Sequence, residues 1–235
     1  MAPAGEPEPG ARVVLSWSGG KDAAYALYEL QQQAALRVEE LLTTVSADTD
    51  RVSVHGVRRS LLDAQADAVG LPVRVVSLPD PCPDDVYEAR MGAVTTDYVR
   101  RGVDLVAFAD RFLSDVREYR TERLDGTGLV GCWPLWGRDT AELAAAFLDA
   151  GFEATVVAVD GDALAESFAG RPYDESFLAA LPDGVDPCGE RGEFHTFVHD
   201  GPVFDEPLDV DVGETTTRHR GEGVFHYADL RSATG

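Results

Sequence analysis

A short apolar run, residues 12–17, ends in Ser18-Gly19-Gly20-Lys21-Asp22, and a helix-forming stretch follows at once. No other feature constrains the fold of this chain as much. Arg12-Val13-Val14-Leu15-Ser16-Trp17 has the length and β-branched content of a strand buried on both faces. Residues 21–30 carry Ala23, Ala26, Leu27 and Leu30 at helical spacing. A glycine turn between such a strand and a helix leaves backbone N–H groups at the positive end of the helix dipole, where an anion is favoured. Gly19 and Gly20 lack Cβ, so phosphate oxygens can approach the backbone. Ser18 adds a hydroxyl donor and Lys21 a full charge. The spacing is neither GxxxxGK followed by Ser or Thr nor GxGxxG, which sets aside two commoner nucleotide loops.

Composition sharpens the loop. The 235 residues hold nineteen arginines and a single lysine, and that lysine is Lys21. Lysine presents a compact point charge on a thin stem, suited to a crowded phosphate site. The net charge of −22 argues against bare nucleic acid as a partner, because non-specific binding needs cations to replace counterions. The acids are spread among folded-looking segments, as with Asp125, Glu142, Asp149 and Glu153, which reads as a solvated acidic surface. Such a surface suits a halophilic cytoplasm, where salt screens the repulsion. No window approaches eighteen unbroken apolar residues, so no membrane span is expected. Cys82, Cys132 and Cys188 form no CxxC pair and read as reduced thiols of a cytoplasmic protein.

Beyond the first helix the pattern alternates. Residues 41–46, 73–78 and 105–110 read as strands, and 55–69, 84–101 and 114–124 as helices. Strands alternating with helices of this length predict α/β units, a doubly wound parallel sheet with both faces covered. Gly126-Thr127-Gly128 reads as a boundary. A strand at 129–135, a helix at 140–150 capped by Thr140, and a strand at 154–159 follow. Residues 170–192 read as irregular, and 194–227 as β structure.

The strand with Ser18-Gly19-Gly20-Lys21-Asp22 resembles the PP-loop of ATP pyrophosphatases. Three later segments resemble the diphthine-ammonia ligase family within that superfamily. They are His55-Gly56-Val57 with Leu61, Gln65-Ala66 and Gly70-Leu71-Pro72; Pro134-Leu135-Trp136-Gly137-Arg138-Asp139-Thr140; and residues 186–198, read as Asp-Pro-Cys-Gly-Glu-Arg-Gly-Glu-Phe-His-Thr-Phe-Val, closed by Asp200-Gly201-Pro202. The matches run from about residue 12 to 204. The resemblance implies an ATP-dependent ligase that adenylates a carboxylate, releases pyrophosphate and transfers ammonia. In the family that carboxylate belongs to diphthine, a modified histidine on elongation factor 2. The chain departs from the pattern at Ala23, where many members have Ser, and after Asp110, where no Tyr-Gln follows. A paralog with a small-molecule or tRNA acceptor, or a non-catalytic ATP-binding regulator, are the alternatives.

The implied fold is a PP-loop (adenine nucleotide α-hydrolase-like) sheet with a smaller C-terminal α+β domain. Residues 1–11 are expected to be a disordered tail, 12–126 the ATP-binding domain and 127–235 the acceptor-substrate domain. Ser18, Gly19, Gly20 and Lys21 would hold the phosphates. Asp22 is either an acid at a helix N-terminus or a magnesium ligand. Ser46 and Asp48 either border the adenosine or form an ordinary polar turn. Asp110 would orient magnesium or the ribose. Arg117 would meet a phosphate or make a surface ion pair. Glu190, Glu193 and His195 are the acceptor-site candidates: two carboxylates could bind ammonium or take its proton, and His could act as base. Their competing reading is a solvated turn. Cys188 reads more readily as a buried small residue than as a nucleophile.

Overall fold

Strand β1 (Ala11–Ser16) lies at the centre of a parallel sheet because Val13, Val14 and Leu15 are apolar on both faces, and all three are fully buried. The computed structural model describes residues 10–220 and 223–233. Most of the expected tail, residues 1–9, therefore lies outside the described residues. After β1 come α1 (Lys21–Gln31), β2 (Leu36–Ser46), β3 (Arg51–Val52), α2 (Arg59–Val69) and β4 (Val73–Leu78). Then follow α3 (Asp84–Arg101), β5 (Leu105–Ala107), α4 (Ser114–Leu124), β6 (Val130–Cys132) and α5 (Thr140–Asp149). The chain continues with β7 (Glu153–Asp160), α6 (Glu175–Ala180), β8 (Phe194–Asp200), β9 (Val210–Arg220) and β10 (Gly223–Ser232).

The parallel strands lie in the order β4-β2-β1-β5-β6, and β3 adds an antiparallel tag to the end of β2. From β1 the chain moves outward to β2 and β4, then returns to the other side of β1 for β5 and β6. Residues of α1, α2 and α5 pack into one apolar cluster with Val13 and Leu15. Val94 and Tyr98 of α3 and Leu124 of α4 pack with Val14 and Val106 on the opposite face. The sheet is therefore doubly wound, as the alternation of the sequence requires. The second sheet is antiparallel, ordered β8-β7-β10-β9. Its Val156 and Phe197 belong to the same apolar cluster as Leu15 and Leu27, so the two sheets share one core. Burying a Leu or Phe side chain of this kind stabilises by about 1.5–3 kcal/mol.

Several boundaries shift for local reasons. Strand β6 pairs with β5, so the parallel sheet runs past the break placed at 126. Gly126 and Gly128, both at positive φ, turn the chain into this last strand. Helix α2 starts at Arg59, not at residue 55, because Gly56 at φ +70 and the extended Arg58 form a turn first. The cap of α5 is Asp139 rather than Thr140: its Oδ1 accepts from Ala141 N at 2.9 Å and Glu142 N at 3.0 Å. Within the stretch read as irregular, Asp174 caps the short helix α6 by accepting from Phe177 N at 2.7 Å. Among the described residues no helix is long and apolar enough to cross a membrane. All three cysteines are free.

Candidate active site

The strand order reverses between β1 and β5, and at such a switch point the loops leaving the two strands part to form a crevice. A cleft of about 1130 Å³ lies there, lined among others by Ser18, Asp22, His55, Asp110, Glu190 and His195. It draws together the loop after β1, the loop after β5 and the C-terminal motif.

The loop after β1 is shaped by its neighbours. Gly19 has φ +78, and a Cβ there would sit 2.8 Å from Gln65 Oε1. Gly20 has an ordinary φ of −89, but its Cβ would meet His55 Cε1 at 2.9 Å and Thr196 O at 3.1 Å. The Gly19 carbonyl accepts from Gln65 Nε2 at 3.0 Å and from Val198 N at 2.9 Å. Gly20 N donates to Ser18 Oγ at 3.3 Å, and Lys21 N to Thr196 Oγ1 at 3.0 Å. Gln65 is fully buried and also accepts from Trp17 Nε1 at 2.8 Å and donates to Val198 O at 2.6 Å. Thus α2 and β8 both bind the loop, and the C-terminal half helps to shape it.

Lys21 is 4% exposed. Its ammonium donates to both oxygens of Asp22, at 3.1 and 2.9 Å, and to the Cys188 carbonyl. The rings of Phe194 and Tyr173 lie 5.6 and 5.9 Å from it. Asp22 also accepts from Arg111 Nη1 at 2.6 Å. Burial alone would raise the Asp22 pKa, but the charges of Lys21 and Arg111 outweigh it and hold the carboxyl below its usual range. Both Asp22 oxygens thus lie on protein cations, and among the described residues no group of three or more His, Cys, Asp or Glu is placed for a metal.

Of the acceptor candidates, Glu190 and His195 line the cleft while Glu193 does not. Glu190 accepts from Arg111 N at 3.3 Å and from Arg111 Nη2. Glu193 is 7% exposed, and its two oxygens accept from Asp186 N at 3.1 Å and Arg191 N at 2.8 Å. It builds the motif's turn instead of facing a substrate. The His195 ring packs on His55 with centroids 4.6 Å apart. His55 places Nδ1 3.3 Å from the Thr196 carbonyl, an acceptor only, so Nδ1 carries the proton. Burial drives its pKa down to about 4. Cys188 is buried, donates from Sγ to Thr140 O at 3.2 Å, and burial raises its pKa. It is not among the residues lining the cleft, which leaves it a packing residue.

The remaining candidates scatter. Asp110 lies in the loop beyond β5, not in the strand, since β5 ends at Ala107. It reaches the cleft, where Arg120 approaches it at 3.2 Å without a hydrogen bond to Oδ2. Arg117 lies outside the cleft lining, its guanidinium 4.8 and 4.4 Å from the Trp133 and Trp136 rings. Ser46 accepts from Thr49 N at 3.4 Å and lines a separate cavity of about 400 Å³. Asp48 accepts from Asp80 N at 3.2 Å on the surface, a contact between two loops 32 residues apart. Four residues that sequence reasoning missed complete the site: His55, Gln65, Arg111 and Thr196. Gln65 carries a legible signal, a polar side chain on the apolar face formed by Leu61, Leu62, Ala66 and Val69. Arg111 carries none.

Residues 11–107 match the family model of the diphthamide synthase N-terminal domain, and residues 139–230 that of the diphthamide synthase C-terminal domain. The chain is 28% identical to the diphthine–ammonia ligase of Bos taurus over 249 residues, covering 94% of this chain and 90% of that protein. It is 28% identical to the Danio rerio protein of the same name, covering 87% and 88%. The Homo sapiens protein, also a diphthine–ammonia ligase, is 27% identical, covering 93% and 86%.

Proposed function

The chain belongs to the diphthamide synthase family, and from that premise we propose that this ATP-dependent ligase splits ATP between the α- and β-phosphates to join ammonia to a carboxylate, as in the last step of diphthamide synthesis. The acceptor carboxylate attacks the α-phosphorus, the bond to the bridging oxygen breaks, and pyrophosphate leaves with the electron pair. Ammonia then attacks the acyl carbon and AMP departs. The acceptor is diphthine on elongation factor 2, and the setting is a cytoplasm rich in salt.

One observation carries this reading. Ser18, Gly20, Lys21 and Asp22 of the anion-binding loop and the C-terminal residues Glu190 and His195 line a single cleft, so phosphate and acceptor chemistry can share one space. The α1 N-terminus and Gly20 receive the pyrophosphate oxygens. Lys21 turns its ammonium from Asp22 to the phosphates, stabilising the charge that develops on the leaving group. Magnesium arrives with ATP as part of the substrate. Glu190 faces the ammonium ion, and His195 accepts its proton. His55, at a pKa of about 4, is too weak a base for that step and acts as a neutral wall of the site.

The test is direct. Protein, magnesium ATP and ammonium are incubated with elongation factor 2 carrying diphthine. AMP and pyrophosphate are expected in equal amounts, together with conversion of the acceptor's carboxylate to an amide by mass spectrometry. Formation of ADP and phosphate would refute α–β cleavage.

A further inference from the structure

We propose that Arg111 is a positioning residue that clamps the C-terminal acceptor motif to the nucleotide loop and so sets how the two half-sites face each other. The inference rests on the ligase reading for its kinetic consequence, though its geometry stands apart from that reading. Arg111 is 0% exposed and is not among the residues lining the cleft, whereas both of its partners, Asp22 and Glu190, line it. Its guanidinium spans those carboxylates, which lie 89 and 79 residues away in the chain. Its backbone joins in: Arg111 N donates to Glu190 Oε1 at 3.3 Å, and Arg111 O accepts from Gly137 N at 3.0 Å. Four segments thus converge on one buried residue: the loops after β1 and β5, the turn before α5, and the C-terminal motif.

A buried ion pair is a poor device for stability, because desolvating the charges offsets most of their attraction, and apolar side chains of similar volume often do as well. Arg111 even leaves its buried Nε without a hydrogen-bond partner, a cost that apolar packing would avoid. What only this side chain supplies is a rigid fork that fixes two carboxylates at once. Without it Asp22 and Glu190 would repel each other across the head of the cleft. The fork also keeps Asp22 compensated when Lys21 turns toward the phosphates.

Three variants of the full-length chain test the clamp: Arg111→Met, Arg111→Lys, and Arg111→Met combined with Glu190→Gln. Amide formation is measured by steady-state kinetics, and the Asp22 carboxyl is titrated by carbon NMR without nucleotide. In Arg111→Met, turnover is expected to fall about a hundredfold, as for a misplacement of roughly 1 Å, while KM for ATP stays within a few-fold and Asp22 titrates at higher pH. Arg111→Lys keeps the Asp22 titration low but does not restore turnover, because one ammonium cannot span both carboxylates. The double variant regains thermal stability without turnover. Wild-type turnover in Arg111→Met, full rescue by Arg111→Lys, or recovered turnover in the double variant would each overturn the clamp. If Arg111→Met does not fold, the other two variants decide. If the wild type forms no AMP, the ligase reading has failed, and the Asp22 titration still judges the clamp.

Discussion

Replacing Gly19 with Ala probes the loop through two separable costs. The first is conformational: Gly19 has φ +78, and an L-residue there costs roughly 1–2 kcal/mol. The second is steric, since the new Cβ would lie 2.8 Å from Gln65 Oε1. Gln65 cannot simply yield. It is fully buried and holds Trp17 Nε1, the Gly19 carbonyl and the Val198 carbonyl at 2.8, 3.0 and 2.6 Å. Displacing it breaks at least one buried hydrogen bond, at about 1–3 kcal/mol for each group left unsatisfied. The sum is about 2–5 kcal/mol, or a fall in Tm of roughly 10 °C for a chain of this size. Gly137→Ala is the control, because Gly137 has φ +76 and a Cβ there would meet nothing within 4 Å. It should lose only the conformational part. Chemical denaturation and calorimetry of the two variants give the comparison. Equal destabilisation of both would refute the packing of Gln65 against the loop.

Acid should weaken the fold through His55. Its pKa of about 4 lies below the ordinary 6.5, so the unfolded chain binds a proton that the folded chain refuses. The stability is fully present above pH 6.5 and is lost as pH falls toward 4, by about 3 kcal/mol. His199, also lowered by burial, acts with the same sign, so the wild type minus His55→Gln difference in urea midpoint isolates His55, and a pH-independent difference would refute it. Asp139→Ala removes both N-cap acceptor bonds of α5 and should cost about 1 kcal/mol while leaving ATP affinity unchanged. Lys21→Ala should abolish turnover and weaken ATP binding measured by titration calorimetry; unaltered binding would show that the loop does not hold the phosphates.

The architecture was legible from local pattern. The β-branched run at 12–17, the glycine turn and the 3.6-residue spacing after it identify a strand–loop–helix unit, and its repetition makes a parallel sheet unavoidable. Sheet membership escaped this logic: the strand read at 129–135 is present as the three residues of β6, but that it joins the parallel sheet is decided only by its pairing with β5. The site divided in the same way. Lys21 and Glu190 stood out by residue type and motif, and both line the cleft. Glu193 stood out equally, yet its carboxylate is spent on the backbone N–H groups of its own turn. Arg117 read equally as a phosphate partner or a surface ion pair, and its guanidinium lies over two tryptophan rings, outside the cleft lining.

What the sequence alone determined is therefore the α/β class, the glycine loop at a strand's end and the ligase-like motif, because each is written in neighbouring residues. Tertiary structure decided which charges meet. Lys21 reaches the Cys188 carbonyl across 167 residues, and Arg111 reaches Asp22 across 89. Such pairings follow from where the sheet order reverses and which side chains are buried there, and neither property has a local signature in the chain.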